Sequence, residues 1–346
     1  MSNGHQSPAS PSANGSSAAN GTAPHLAPAS TSVAAAAMNG SYVTHAFIQV
    51  PKTVAVLGVA FSGGQARGGV ENGPQTLAEF GLHQQLRDLD WNVTVDNLGR
   101  PIGKLKNPRY VSAVCEHVAN LVEQHARAGE LVLTVGGDHS IGMATISGTS
   151  RVYGDNMCVV WVDAHADINT PLTTDSGNLH GCPVSFLMGL PGTDLPEFKW
   201  CKPCLSPDRI VYIGLRDVDA GEKRILREYG IKAFSMTEVD RYGIGKVVEM
   251  ALDHVNPNRD RPIHLSYDVD ALDPSVAPAT GTPVRGGLTF REGHYICEAL
   301  HETGLLAAMD IVEVNPALAN GDVTQLTQTV AVGCSLVRSA LGETLL

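Results

Sequence analysis

The sequence is short of cations. Lys and Arg number 24 against 35 Asp and Glu, a formal net charge of −11 over 346 residues. Without basic residues to release counterions, the chain is a poor partner for nucleic acid or for an anionic membrane; a cationic ligand would approach it more readily. Long apolar runs are missing too. None comes near the roughly 20 residues that cross a bilayer, which argues against an integral membrane protein. Cysteine is scattered and odd in number, 7 in all, so it does not form a disulfide framework and fits a reducing, cytoplasmic setting. Cys201 and Cys204 make a lone C-x-x-C in the loop KWCKPCLSP. With no second pair to complete a metal set they read as ordinary loop thiols, a redox or metal pair being the alternative.

Residues 1–44 lack charge altogether, containing no Asp, Glu, Lys or Arg among their Ala, Ser, Pro, Gly and Asn. Such a segment cannot bury enough apolar surface to offset its ordering entropy and reads as a disordered tail. It has neither the basic start of a signal peptide nor the Arg of a transit peptide. Its three NG[S/T] triplets therefore read as accidental matches to glycosylation acceptors. The remainder, 45–346, is 43% hydrophobic and 17% charged when counted with the tail, which is the balance of one globular domain with a large core.

Beyond the tail, short apolar runs alternate with amphipathic stretches. The runs are 53–60, 131–137, 157–163, 209–215, 262–270 and 306–314; helical periodicity covers 74–89, 109–129, 222–230, 243–255 and 291–304. Continuous Val, Ile and Leu strands separated by helices predict an α/β protein whose mostly parallel sheet is covered on both faces. Several runs end in polar or acidic residues: His139 after LVLTVGGD, Asp163 after VVWV, Asp268 and Asp270 in HLSYDVD, Glu313 after MDIV. Ligands of open α/β sheets bind at that carboxyl edge. Segments far apart in sequence are thus aimed at one crevice.

Asp163, His165 and Asp167 alternate along the chain, and Asp268 and Asp270 repeat the spacing. Extended geometry would project each set to one side. Clustered carboxylates beside apolar runs are costly, on the order of several kcal/mol per ion, unless something compensates them, and no Lys or Arg lies among them. A polyvalent cation is the simplest compensation. Four Asp and two His form a hard, oxygen-rich set that suits Mn²⁺ or Mg²⁺ better than structural Zn²⁺, and six ligands suffice for two ions if some Asp bridge. Two such ions can share a hydroxide and lower its pKa toward neutrality. A single D-x-D at a strand end is more often a helix cap or a solvated loop; it is the group that carries the metal reading, and one member could still lie outside the direct ligand set.

The segments GGDHS (136–140), DAHADIN (163–169), SGNLHG (176–181), SYDVDALDP (266–274), GTPVRGGL (281–288) and EVNP (313–316) together resemble the signature segments of the arginases, within the ureohydrolases. The resemblance runs from about Val54 to the C-terminus. It implies a three-layer α/β/α sandwich on an eight-stranded parallel sheet and a binuclear manganese centre of two Mn²⁺ per subunit. One ion would take His139, Asp163, Asp167 and Asp268, the other His165, Asp163, Asp268 and Asp270. The implied reaction converts L-arginine and water into L-ornithine and urea, by attack of a metal-bridging hydroxide on the guanidinium carbon. Asp167 would orient that hydroxide, Glu313 would pair with the guanidinium, and His180 would shuttle a proton to the departing amine. Asn169, Thr174, Ser176 and Asp219 would read the amino-acid head group, with Thr282 lining the same cleft. The Asn, Thr and Ser of this loop would otherwise be ordinary turn residues.

Two rivals stand beside this expectation. One is a ureohydrolase of agmatine or another guanidino compound, since the metal ligands do not separate such enzymes; the other is a catalytically dead scaffold that binds arginine. Arg67, being cationic, is expected to organise its Gly-rich loop rather than touch a guanidinium. Cys182 reads as buried and inert, with oxidation-sensitive activity as a minor alternative. The resemblance also implies a homotrimer, with Arg291 and Glu292 matching a pair that can make intersubunit contacts; the longer C-terminal tail with which some arginases clasp their neighbours is not expected here.

Overall fold

A computed structural model describes residues 43–98, 108–319 and 321–343. The expected tail, 1–44, lies outside them except for its last two residues. The strands are β1 (Thr53–Val59), β2 (Asn92–Leu98), β3 (Leu131–Val135), β4 (Cys158–Val162), β5 (Ile210–Leu215), β6 (Lys232–Ser235), β7 (Ile263–Asp268) and β8 (Leu306–Val312). They form one parallel sheet in the order β2-β1-β3-β8-β7-β4-β5-β6.

Because successive side chains point to opposite faces, each central strand feeds two cores at once. Cys158, Val160 and Val162 of β4 enter one, with residues of the helices Gly73–Glu79, Leu82–Asp88, Ile244–Val255, Phe290–Glu302 and Val323–Ala340. Val159 and Trp161 of the same strand enter the other, with residues of Pro108–Arg127, Gly142–Tyr153, Pro183–Met188 and Ala220–Glu228. That is the three-layer α/β/α arrangement, and it explains why the strands read as unbroken apolar runs rather than alternating ones. Burying each Val, Leu or Ile contributes about 1.5–3 kcal/mol. The helix Pro108–Arg127 shows the complementary logic, burying Val111, Cys115, Val118, Val122 and Ala126 on a single stripe.

Six strands match the six apolar runs. The two additional strands, β2 and β6, are the edges of the sheet. The periodic stretch 74–89 is two helices instead of one, Gly73–Glu79 and Leu82–Asp88, because Gly81 adopts φ 94° at their junction, a backbone state that glycine takes without a Cβ clash. Arg291 and Glu292 are both engaged within the chain: Arg291 makes a bidentate pair with Glu298 at 2.6 and 2.6 Å, and Glu292 closes the capping box of its helix with Thr289.

The strand order gathers the polar strand ends. The contiguous set β3, β8, β7, β4 lies in the middle of the sheet, and its carboxyl ends carry His139, Glu313, Asp268 and Asp163 respectively. On either side, the segment after β1 brings residues 61–67 and the segment after β5 brings Asp217 and Asp219.

Candidate metal centre

The alternating acids fold into one cluster. His139 Nδ1 lies 3.1 Å from Asp163 Oδ2, 3.2 Å from Asp167 Oδ2 and 3.3 Å from Asp268 Oδ2. His165 Nδ1 lies 3.3 Å from Asp163 Oδ1 and 3.2 Å from Asp270 Oδ2. Asp163 therefore presents one oxygen to each imidazole and is common to both groups. His139, Asp163 and Asp268 form one set of converging ligand atoms, and Asp163, His165 and Asp270 a second, either of which could hold a metal ion. All but His165 are buried.

The donor chemistry fits a divalent pair. His139 Nδ1 is fully buried, faces three carboxylate oxygens and makes no hydrogen bond of acceptable geometry. An imidazole nitrogen turned toward oxygens that all prefer to accept is aimed at a cation, not at its neighbours. The titration of the cluster tells the same story. Burial pulls both imidazoles down, yet the carboxylates around them outweigh it and hold both well above the ordinary histidine range. Burial, then the charge of Asp163, pushes Asp167 up to about 6; burial, then neighbouring Asp charges, raises Asp268. Burial raises Asp270 as well. It acts on Asp163 in the same sense, but there His139 and His165 outweigh it and hold the carboxyl low. Protons serve as the local countercharge, a role a multivalent cation fills better while releasing them.

His139 is held from behind. Its ring stacks on buried Trp161 at 4.1 Å and 13°, and Trp161 Nε1 donates to Asp163 Oδ2 at 2.9 Å. His139 Nε2 meets Ser266 Oγ at 2.9 Å, and Ser266 Oγ donates onward to Asp310 Oδ2 at 3.4 Å. Thr145 also donates to Asp310 Oδ2, at 2.7 Å, while His264 Nε2 lies 3.0 Å from it. A chain ending on a carboxylate fixes the direction of donation: Nε2–H gives to Ser266, so the proton a bound cation would displace is the one on Nδ1, whose lone pair would then face the cluster. Ser266 and Asp310 sit inside apolar strands β7 and β8. In the sequence their only signal is a polar residue interrupting a run.

Two cluster neighbours adopt strained backbone. Asp167 has φ 48° and Glu313 φ 64°, a region that costs a non-glycine residue about 1–3 kcal/mol and persists where the surroundings enforce it. Glu313 Oε1 accepts from the His139 amide at 3.0 Å, and its Oε2 accepts from Gln65 Nε2 at 2.7 Å. His180 Nδ1 stands 3.5 Å from Glu313 Oε1. Burial raises Glu313, but His180 and these donors more than reverse it and keep the carboxyl ionised. Burial pulls His180 down, and its pairing with Glu313, with Asp167 and Asp138 beyond, lifts it to about 9.

Of the remaining predicted residues, Thr282 touches a cluster carboxylate, while Asn169, Thr174, Ser176 and Asp219 lie on the loops that follow β4 and β5. Asn169 Nδ2 donates to Asp219 Oδ2 at 2.6 Å, joining the loop after β4 to the one after β5. Asp219 is also the N-cap of Ala220–Glu228, in a capping box with Glu222. Thr174 Oγ1 accepts from Gly177 N at 3.1 Å and Ser176 Oγ from Asn178 N at 3.2 Å. Their hydroxyls are 3.4 Å apart, so at least one proton is left to donate outward. Thr282 donates to Asp270 Oδ2 at 2.8 Å, and its hydroxyl proton is thereby committed to a cluster carboxylate. Arg67 Nη1 donates to the Gly281 carbonyl at 2.5 Å and so ties two loops together. Cys182 is buried, and burial followed by the charge of Asp167 pushes its thiol up to about 12. Burial does the same to Cys204, up to about 12, and raises Cys201. All seven cysteines are free thiols. Sequence reasoning missed Gln65, Glu222, Ser266 and Asp310: the last two show only as polar residues inside apolar runs, and nothing local sets Gln65 and Glu222 apart.

A profile of the Arginase family matches residues 52–342 of the chain. An arginase of Glaciozyma antarctica is 60% identical over 321 residues, covering 88% of this chain and 92% of its own. Arginase-1 of Bos taurus is 50% identical over 303 residues, covering 84% and 94%. Among solved structures, the arginase of Bacillus caldovelox superposes with a TM-score of 0.77 at 37% identity, covering 85% of this chain and 99% of that one.

Proposed function

The chain belongs to the arginase family, and we propose on that footing that it hydrolyses L-arginine to L-ornithine and urea at a centre holding two Mn²⁺ ions. The observation that carries this reading is the sharing of Asp163 between two imidazoles, with an ionised Glu313 and a protonatable His180 beside it. His139, Asp163, Asp167 and Asp268 would hold one ion; His165, Asp163, Asp268 and Asp270 would hold the other. When bound, the pair would cancel the carboxylate charge, polarise water and lower its pKa toward neutrality.

The protein's own groups do the rest. Glu313 is a buried carboxylate fixed by the His139 amide and Gln65, and pairs with the cationic guanidinium so that its carbon is oriented toward the cluster. Asp167 accepts a hydrogen bond from the attacking water and sets its direction. After attack the C–N bond to the ornithine side must break, and the departing amine needs a proton. His180 supplies it and takes up the proton released from water. Asp219 pairs with the α-ammonium, and Thr174 and Ser176 donate to the α-carboxylate; Asn169 spans the two sides. Agmatine, lacking the carboxylate, would leave those hydroxyls unanswered, which favours arginine as the substrate.

Removal and return of the metal tests this reading directly. Chelator-stripped protein should release no urea from arginine, and added Mn²⁺ should restore the activity while agmatine remains a far poorer substrate. Restored turnover of agmatine alone would transfer the reading to that substrate. Arginine binding without urea release would mark a scaffold.

His180→Ala should lower kcat by about 10²–10⁴-fold, the usual worth of a positioned acid–base group, with metal content intact. The pH dependence has a definite sign. His180 donates only when protonated, and with its pKa lifted to about 9 it is charged at neutrality. The wild-type kcat/KM, which reports the free enzyme, should fall above about pH 9, and that limb should vanish in the variant. Loss of metals from His180→Ala would contradict the shuttle role.

We further place the protein in the cytoplasm as a homotrimer. All its cysteines are free, and no helix among the described residues is long and apolar enough to cross a membrane. Phe290, half-exposed beside Arg291, offers an apolar contact at that helix start; sedimentation equilibrium would report the assembly state.

A further inference from the structure

We infer that Gln65 is a positioning residue for the guanidinium-binding carboxylate: it holds Glu313 in the orientation that aligns the substrate for attack. The inference rests on the proposed role of Glu313. Gln65 is only 2% exposed although it is a polar residue in a Gly-rich loop, FSGGQARGG. Its side chain spans 248 positions of sequence to reach Glu313, donating from Nε2 to Oε2 at 2.7 Å. The direction of this bond is fixed by chemistry, because an ionised carboxylate only accepts and the opposite amide orientation would set two acceptors against each other.

The amide is boxed on its other side. A Cβ on Gly281 would lie 2.9 Å from Gln65 Oε1 and 3.3 Å from Glu313 Oε2, so the residue there must be small for the pair to form. Arg67 pins the Gly281 carbonyl from the same loop. Gly64 N donates to the buried carboxylate of Asp138 at 2.8 Å, and Gly64 O accepts from His180 N at 3.2 Å. One segment after β1 thus touches both groups assigned to the substrate's reacting end.

The division of labour around Glu313 follows from these contacts. Oε1 is held by the His139 amide and faces His180, whereas Gln65 is the donor to Oε2. With that donor gone, the carboxylate keeps its charge and one anchor but can rotate. A guanidinium paired with it would still bind. Its carbon would spend less time in line with the attacking water, and small errors of that kind lower the chemical step more than affinity.

The test uses the Mn²⁺-loaded enzyme. Gln65→Met keeps length and removes the donor; Gln65→Glu keeps shape and sets a second carboxylate against the first. For Gln65→Met we expect kcat for arginine to fall about tenfold or more with KM changed less than about threefold. The ornithine inhibition constant and metal content should stay as in the wild type, since ornithine has no guanidinium. Gln65→Glu should lose more. In a Glu313→Gln background, Gln65→Met should cost less than about twofold, because the group it positions is already impaired. An unchanged kcat in Gln65→Met overturns the inference, as does a loss shared equally by ornithine binding and metal content, which would mark a merely structural loop residue. Full wild-type activity in Glu313→Gln alone would instead remove the role of Glu313, and the inference would fall with it.

Discussion

Asp163→Ala is expected to abolish arginine hydrolysis, with kcat lowered on the order of 10⁴-fold or more, about 5 kcal/mol of transition-state stabilisation. The size of the effect comes from a geometric fact. Asp163 faces His139 with one oxygen and His165 with the other, so a single truncation removes a ligand from both groups. It also leaves Trp161 Nε1 and the His165 amide without their acceptor. Two readings check the cause. Metal content measured by elemental analysis should fall, and the rise in unfolding temperature that added Mn²⁺ is expected to give the wild type by mass action should be missing. A variant that retained both ions and full turnover would show that Asp163 is not a shared ligand.

Glu313→Gln should cost about 10³-fold in kcat/KM for arginine, about 4 kcal/mol, the scale set by leaving a buried charge without its partner. The amide nearly preserves volume, so the cost is one of charge and orientation. Its NH₂ would also confront the His139 amide or Gln65, both donors, and only a rotation of the Gln65 side chain could relieve the second conflict. Ornithine carries no guanidinium, and its binding should change little. Comparable losses for arginine and ornithine would place Glu313 at the head group rather than at the reacting end.

Much of this fold is legible in the amino-acid order alone. The six apolar runs are the six interior strands β1, β3, β4, β5, β7 and β8, because strands buried on both faces must be apolar throughout. The edge strands β2 and β6 give no such signal, for the converse reason. Lys232 is exposed and Ala233 and Ser235 are only partly buried, so KAFS carries no continuous apolar run. The helix Gly142–Tyr153 is hidden by the opposite excess: residues 142–149 are all buried, and a helix covered on every side shows no amphipathic period. Pro183–Met188 is too short for a period to be recognised.

The sequence by itself determined the chemistry available. It set acids and imidazoles at alternate positions at the ends of apolar runs, left them without Lys or Arg, and thereby required a cation. The order of the strands was decided only in the tertiary structure. Placing β8 and β7 between β3 and β4 brings His139, Glu313, Asp268 and Asp163 to adjacent carboxyl ends, although 174 positions separate the first two. Local sequence cannot encode that order, since it arises from how two helical layers cover one twisted sheet. Gln65, Ser266 and Asp310 belong to the same category. Each is an unremarkable polar residue until packing excludes water around it, and then each must bond to whatever the fold has set opposite.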